Sequence, residues 1–289
     1  MPFTLSHAAA VLPAVRRTGR ARGPLVASAL VLGSFAPDTF YFADAVVGGG
    51  GVMSYGTFTH TLTGVLTADA LLTAVLAACW LLLREPLAAL VPRRQRGRVY
   101  AFLRGERWRG RRRPALALWF YLSAVAGSLT HVVWDSFTHL DRWGTNALPA
   151  LGEPVAFGLP LYSYLQYGSS ALAACALLWF AGTALRRIPA SAAPASVPVL
   201  TRAETVGALV LVVVCVAAGV TVRVIRFFAF FDRIGHPLDI IPTVCFGAGG
   251  GLAVALLLYG ALVRLRHRPD RTAQGADPDT DARTPVPTA

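Results

Sequence analysis

The chain has 289 residues, 55% of them hydrophobic, and a mean hydropathy of +0.53. A water-soluble domain seldom carries so much apolar surface, so the composition argues against an ordinary soluble globular protein. The formal net charge is +12, and every one of the 27 basic residues is arginine. Because these arginines cluster between apolar runs, the charge indicates membrane topology and not a nucleic-acid partner.

Four cysteines occur in the chain, each inside an apolar run, and none forms a CxxC pair. This placement indicates small buried side chains, and it argues against a disulfide framework or a cysteine zinc site. The first residues, MPFTLSHAAAVLP, have no basic residue ahead of their apolar stretch, so they do not resemble a cleaved signal peptide. We therefore expect His7 to belong to the mature protein.

Residues 1–61 predict an N-terminal segment of short or re-entrant helices. The run Leu25–Val47 is long enough to cross a membrane, but Pro37 and Asp38 interrupt it. Proline breaks the helical hydrogen-bond ladder, and a carboxylate at bilayer depth is costly. These features favour a broken or re-entrant helix. Four arginines before the run favour a sixth span instead, because they would then be cytoplasmic.

Residues 62–264 predict a transmembrane helical bundle, because its apolar runs approach the length of about 20 residues that a membrane-spanning helix needs. The fold class is therefore predicted to be all-α: a multi-pass bundle of five or six spans in the cell (plasma) membrane. The five clearest runs are Leu62–Leu83, Ala115–Trp134, Ser169–Leu185, Thr205–Val222 and Val244–Val263.

The arginines give this bundle an orientation. The segment Arg84–Pro114 joins the first two spans and contains eleven arginines, so the positive-inside rule places it in the cytoplasm. Counting outward from it, residues 135–168 face the other side, and residues 186–202 return to the cytoplasm as a flexible connector. The polar tail 265–289 is predicted to be cytoplasmic and disordered.

The strongest local motif is HVVWDSFTH, which carries His131, Asp135 and His139. Residues four apart lie on one face of a helix, so these three side chains form a stripe at the outer end of their span. Imidazole nitrogens and carboxylate oxygens on adjacent turns are donors that suit zinc or a similar divalent metal. The motif therefore predicts part of a metal site.

Three other groups can reach the same membrane face. His60 begins the first span, and the Arg84–Pro114 connection brings its end beside that of the next span. Asp38 reaches this face if its segment enters the membrane only partly, and His7 joins only if the N-terminus is also outside, as in the five-span alternative. The predicted metal ligands are thus His7, Asp38, His60, His131, Asp135 and His139.

Each of these groups, taken alone, also has a purely structural interpretation. A histidine at a membrane edge is usually an interfacial hydrogen-bonding residue, and Asp38 after Pro37 could cap a helix. The later motif LYSYLQYGSS places Gln166 and Tyr167 at the outer entry of a span. These side chains suit either a polar pocket beside the metal or an interfacial aromatic belt.

The order of the motifs PFTLSHAAAVLP, GSFAPD, THT, HVVWDSFTH and LYSYLQYGSS resembles that of the bacterial membrane proteins grouped as domain of unknown function 4184, over roughly Met1 to Val263. A more distant similarity links the order His, Pro-Asp, Thr-His, His-x-x-x-Asp to membrane-bound metal-dependent hydrolases and to all-α zinc-dependent phospholipase C. That similarity implies metal ligands at His7, Asp38, His60, His131 and Asp135. The second aspartate of a PDxD motif is missing here, so the similarity does not carry over a second metal ion.

The resulting hypothesis is a metal-dependent hydrolase at the outer membrane face. His60, His131 and one aspartate would hold a divalent ion, zinc by preference, and leave one position for water, while Asp38 or Asp135 would act as general base. The expected partner is membrane lipid, with a phospho- or acyl ester of a lipid headgroup as substrate. The alternative is a non-catalytic scaffold or transporter-like protein that uses the same polar groups for packing or as an ion relay.

Overall fold

The computed structural model describes residues 3–48, 51–105, 108, 110–231 and 233–267. The predicted disordered tail lies outside this part of the chain from residue 268 onward. The described residues form an all-α bundle, as the sequence predicts, with one short antiparallel hairpin of β1 (Pro154–Ala156) and β2 (Leu159–Pro160). The helices are α1 (Ala8–Val11), α2 (Ala27–Gly33), α3 (Thr39–Val47), α4 (Tyr55–Thr59), α5 (Leu62–Leu66), α6 (Ala68–Leu90), α7 (Arg93–Arg104), α8 (Arg113–Thr138), α9 (Trp143–Ala147), α10 (Leu161–Arg187), α11 (Arg202–Phe231) and α12 (Ile240–Arg266), with 3-10 helices at Thr4–His7, Leu12–Ala14, Ala36–Asp38, Pro149–Gly152 and Pro237–Asp239.

Five helices of the described chain, α6, α8, α10, α11 and α12, are long and apolar enough to cross a membrane. A sixth crossing exists if α2 and the following residues Ala36–Val47 count as one span, and this pair bends by 42° at its break. The predicted multi-pass membrane bundle of five or six spans is therefore confirmed by length and composition.

The first span has different bounds from those predicted. It does not begin at Leu62, because the backbone leaves the helical region at Thr67 (φ −120°, ψ −78°) and separates α5 from α6. It also continues past Leu83 as far as Leu90. Glu85 can lie in this helix because its carboxylate pairs with Arg84 at 2.7 Å and with Arg264 of α12 at 2.6 Å.

Small residues let α2 pack directly on the backbone of α8. A Cβ atom at Gly33 would collide with the backbone of Ala124, and one at Gly127 would collide with the carbonyl of Leu30. The contacts between the two helices begin with the hydrogen bond from Val26 to Ser123. They continue in the chain direction of both helices as far as the end of α2. The two helices therefore run broadly parallel, and both point away from the arginine-rich segment.

The N-terminal segment folds back beside α2. Its short helices start next to His131 and lead to a turn where Gly19, with φ of +77°, lies against the carbonyl of Phe102 in α7. The chain then returns through α2 to the end of the bundle remote from the arginine-rich segment. His7 consequently lies at that remote end whether or not residues 27–47 cross the membrane. The expectation that a six-span arrangement would place His7 on the far side was wrong, because it overlooked this reversal.

The connections on the arginine-rich side are packed against the bundle. The predicted loop Arg84–Pro114 contains the helix α7, whose Tyr100 is buried together with Ala88 and Ala89 of α6. Val197, from the connector 186–202, completes this cluster and is only 5% exposed. The connector thus covers α6 and α7 with its apolar side chains.

We expect the substitution Gly127→Ala to weaken the bundle, because the added methyl group meets the Leu30 carbonyl and one helix must shift. Overpacking of this kind costs about 1–3 kcal/mol of unfolding free energy. Thermal unfolding of the detergent-purified protein measures the effect. Gly182→Ala in α10 is the matched control, since a Cβ atom there meets nothing within 4 Å. Equal melting temperatures for both variants would contradict the proposed contact.

Candidate metal centre

Four acidic and imidazole side chains from three separate segments meet at the end of the bundle remote from the arginine-rich segment. His131 and Asp135 lie one turn apart on α8, Asp38 ends the 3-10 turn after α2, and His60 follows α4. One ligand atom from each of the four lies within 4.8 Å of the others. Asp38 and His131 are fully buried, Asp135 is 2% exposed and His60 is 9% exposed. The topology that places His60 beside α8 is thus seen in the structure.

The distances among these atoms form a regular pattern. His60 Nε2 lies 3.6 Å from both Asp38 Oδ1 and Asp135 Oδ2, and His131 Nε2 lies 3.5 and 3.4 Å from the same two oxygens. Direct hydrogen bonds would be shorter, about 2.7–3.2 Å. Ligands placed tetrahedrally around one zinc ion, at bond lengths of about 2.0–2.2 Å, are about 3.3–3.6 Å apart. The four atoms are therefore spaced as donors around a common centre.

The backbone fixes which nitrogen of each imidazole faces this centre. His60 Nδ1 lies 2.7 Å from the carbonyl of Gly56, and His131 Nδ1 lies 2.8 Å from the carbonyl of Ser34. A carbonyl only accepts hydrogen bonds, so each Nδ1 must carry the proton and donate it. In the neutral ring, each Nε2 then presents a lone pair to the centre. Metal-ligating histidines are held in this way by their outer hydrogen bonds.

Threonines hold the turn that carries Asp38. Thr4 donates its hydroxyl proton to Asp38 Oδ2, the oxygen on the side away from His60 and His131. Thr59 donates its hydroxyl proton to the Pro37 carbonyl at 2.7 Å. Since Thr59 directly precedes His60, the same contact positions two members of the cluster relative to each other.

His7 lies beside the four-residue cluster. Its ring stacks on that of His131 with centroids 3.8 Å apart, and its Nε2 lies 3.4 Å from Asp135 Oδ1. Burial, followed by the neighbouring His131, holds the pKa of His7 well below its usual range. The imidazole is therefore neutral at physiological pH, which leaves a ring nitrogen able to bind a metal.

His139 lies at the rim and not inside the cluster. Its Nδ1 is 3.7 Å from Asp135 Oδ2, and its Nε2 is 3.0 Å from the side-chain nitrogen of Gln166. Burial lowers the pKa of His139 to about 4, so this ring is neutral too. His139 thus lies between the buried Asp135 carboxylate and α10, outside the group of four side chains that are closest to one another.

A polar cavity of about 450 Å³ opens next to this rim. Gln166 lines it together with Ser163, Tyr167 and Arg233. The motif LYSYLQYGSS therefore contributes to a pocket, one of the two alternatives for it, while its Ser169 accepts a hydrogen bond from Trp134 of α8. Gln166 contacts His139, which lies beside Asp135, so these two side chains stand between the cavity and the cluster.

The family model described as Domain of unknown function (DUF4184) matches residues 1–261. The chain belongs to this family. No curated protein and no solved structure matches it. The family is thereby established, and the chemistry of this DUF4184 protein has to be argued from its own residues.

Asp69 is a further acidic residue of this DUF4184 protein that the sequence did not single out. It lies at the start of α6, its side chain is fully buried, and neither of its carboxylate oxygens has a hydrogen-bond partner among the described residues. His131 and Asp38 are close enough to interact with it electrostatically. The only sequence signal was its presence in an otherwise apolar run, where an acidic residue indicates function by default.

We expect that replacing Asp69 stabilises the protein, because burying a polar group without a partner costs free energy in any protonation state. Asp69→Leu and the smaller Asp69→Ala should each raise the unfolding free energy by about 1 kcal/mol or more. Thermal unfolding in detergent measures it, with exposed Glu153→Ala as control. Lower stability of both Asp69 variants would show that this carboxylate stabilises the fold.

Proposed function

We propose that this protein is a membrane-bound metal-dependent hydrolase whose metal is held by Asp38, His60, His131 and Asp135. The single observation that supports it best is the set of four oxygen–nitrogen separations of 3.4–3.6 Å, too long for hydrogen bonds and right for donors around one ion. Zinc is the ion whose geometry this donor set fits most closely, and manganese accepts the same donor types.

A divalent ion bound there would act as a Lewis acid and would make a bound water acidic enough to ionise near neutral pH. The two carboxylates differ in the groups around them. Asp38 is anchored by Thr4 on its outer oxygen, as expected of a fixed ligand. Asp135 touches the imidazoles of His7 and His139 in addition to those of the cluster. We assign ligand binding to both carboxylates and proton acceptance to Asp135.

The substrate we propose is a phospho- or acyl ester of a lipid headgroup at the outer membrane face. The cavity beside His139 would admit the ester, and its Ser163, Gln166 and Arg233 supply polar groups for an ester oxygen or phosphate, with Asp239 also in its lining. The cluster lies at the ends of α6 and α8 that are remote from the arginine-rich segment. If that segment is cytoplasmic, the centre faces the outside at headgroup depth.

One feature of the centre favours the alternative, a non-catalytic scaffold with a structural ion. Structural zinc sites use four protein ligands, whereas catalytic ones keep a position open for water. With both aspartates and both histidines as ligands, a tetrahedral site would be closed. Hydrolysis then requires a five-coordinate ion or the release of one carboxylate, and the two experiments below separate these cases.

Metal content is the first test. We expect about one zinc or manganese ion per detergent-purified chain by elemental mass spectrometry, and we expect His131→Ala to lose it. Losing a ligand should weaken binding by more than the about 10–100-fold that an outer-shell change costs. His236→Ala, in a loop before α12, is the matched control and should keep the metal. Purified wild-type protein without metal, even after incubation with zinc, would remove both the hydrolase and the structural-ion proposals.

Hydrolysis is the second test. The metal-loaded protein should hydrolyse some member of a panel of phosphodiester, phosphomonoester and carboxylic ester substrates in detergent. Asp135→Asn should lower the rate by about 10²–10⁴-fold, the contribution of a positioned acid–base group. The exposed variant Asp141→Asn serves as control. Metal-loaded protein that hydrolyses none of these esters would favour the structural ion.

A further inference from the structure

A second, larger cavity lies on the other side of α2, away from the metal centre. It has a volume of about 980 Å³ and is enclosed by α2, α6, α7 and α10. Ala27 and Val31, four residues apart on α2, form its floor together with Phe35, which follows the helix. These side chains are only partly buried, because the opposite stripe of α2 packs on α8. The cavity therefore leaves apolar surface of the bundle uncovered.

The end of this cavity nearest the arginine-rich segment is positively charged. Arg84 of α6 and Arg104 of α7 line it, together with Trp108. Arg84 shares Glu85 with Arg264, so this group of three keeps one net positive charge. Arg104 is exposed at the cavity mouth and adds a second. None of the described residues that line the cavity is acidic.

We propose that this cavity binds an anionic phospholipid, with its phosphodiester headgroup at Arg84 and Arg104 and its acyl chain along α2. The volume is at the upper end of the range of about 300–1,000 Å³ for small-molecule sites, as an acyl chain requires. The apolar residues along α2 suit the acyl chain of the lipid, and the arginines at the mouth of the cavity suit its anionic headgroup. Basic pockets between membrane helices on the cytoplasmic side are known binding places for anionic lipid headgroups.

The charged mouth of the cavity adjoins its apolar floor, and this combination favours a lipid over a small soluble anion. A free phosphate would use the two arginines alone and would gain nothing from the apolar floor. An amphiphile uses both, and Trp108 at the mouth is a residue type enriched at the membrane interface. The site is distinct from the metal centre, so it stands whether or not the protein is a hydrolase.

Native mass spectrometry of the detergent-purified protein, titrated with phosphatidylglycerol or phosphatidylcholine of the same chain length, tests the site. We expect one phosphatidylglycerol to bind with at least about fivefold preference, the effect of one arginine near an anionic lipid surface. Arg104→Gln should abolish most of this preference. Arg94→Gln is the matched control, because it removes the same charge from an exposed position of α7 that does not line the cavity.

A second variant tests the apolar part. Ser28→Trp places a large side chain on the cavity floor and should weaken binding of both lipids, while inorganic phosphate should not compete with phosphatidylglycerol. Three results would overturn the proposal: equal binding of the two lipids, equal loss in Arg104→Gln and Arg94→Gln, or displacement of the lipid by phosphate. Since Arg104 is exposed, its variant is expected to fold, and its melting temperature verifies this.

Discussion

Two buried carboxylates that face the same pair of imidazoles are the constraint on which the end of the bundle remote from the arginine-rich segment depends. Asp38 and Asp135 each approach His60 Nε2 and His131 Nε2, and the Nδ1 of each ring donates to a backbone carbonyl, which directs Nε2 towards the carboxylates. Four ligand atoms thus converge in a place with almost no solvent. Burying like charges without compensation is strongly unfavourable. In the proposed function a divalent cation would supply the missing positive charge, and the spacing of the four ligand atoms suits such a cation.

The surrounding fold is organised to hold these four donors. Close packing of α2 on α8 through Gly33 and Gly127 brings the Ser34 carbonyl to His131. The reversed N-terminal segment brings Thr4 and His7 to the same place, although they are far from α8 in sequence. A loss of packing remote from the site therefore changes ligand orientation as well as stability. The backbone carbonyls that orient the imidazoles move only when whole helices move.

Hydropathy was sufficient to predict the five spans, and the spacing of His131 and Asp135 was sufficient to predict that both face one side of α8. The partnership with His60 followed from counting membrane crossings. What the sequence could not give depends on tertiary packing: the break at Thr67, the docking of α7 and the N-terminal reversal have no periodic signal. Thr4 and Asp69 were missed for the same reason, since a hydroxyl or a carboxyl gains its role from neighbours that only the folded chain supplies.

The unequal surroundings of the two aspartates bear on whether the centre can catalyse a reaction. Asp38 contacts two imidazoles and a hydroxyl, and its position follows from a short turn tied to Thr59 through the Pro37 carbonyl. Asp135 is approached by four imidazoles, of which two belong to the cluster and two lie outside it. In the proposed hydrolysis Asp135 would receive the proton, a role that a purely structural ligand does not need. His7 and His139, which lie beside Asp135 but outside the four-residue cluster, are the groups that distinguish its surroundings from those of Asp38.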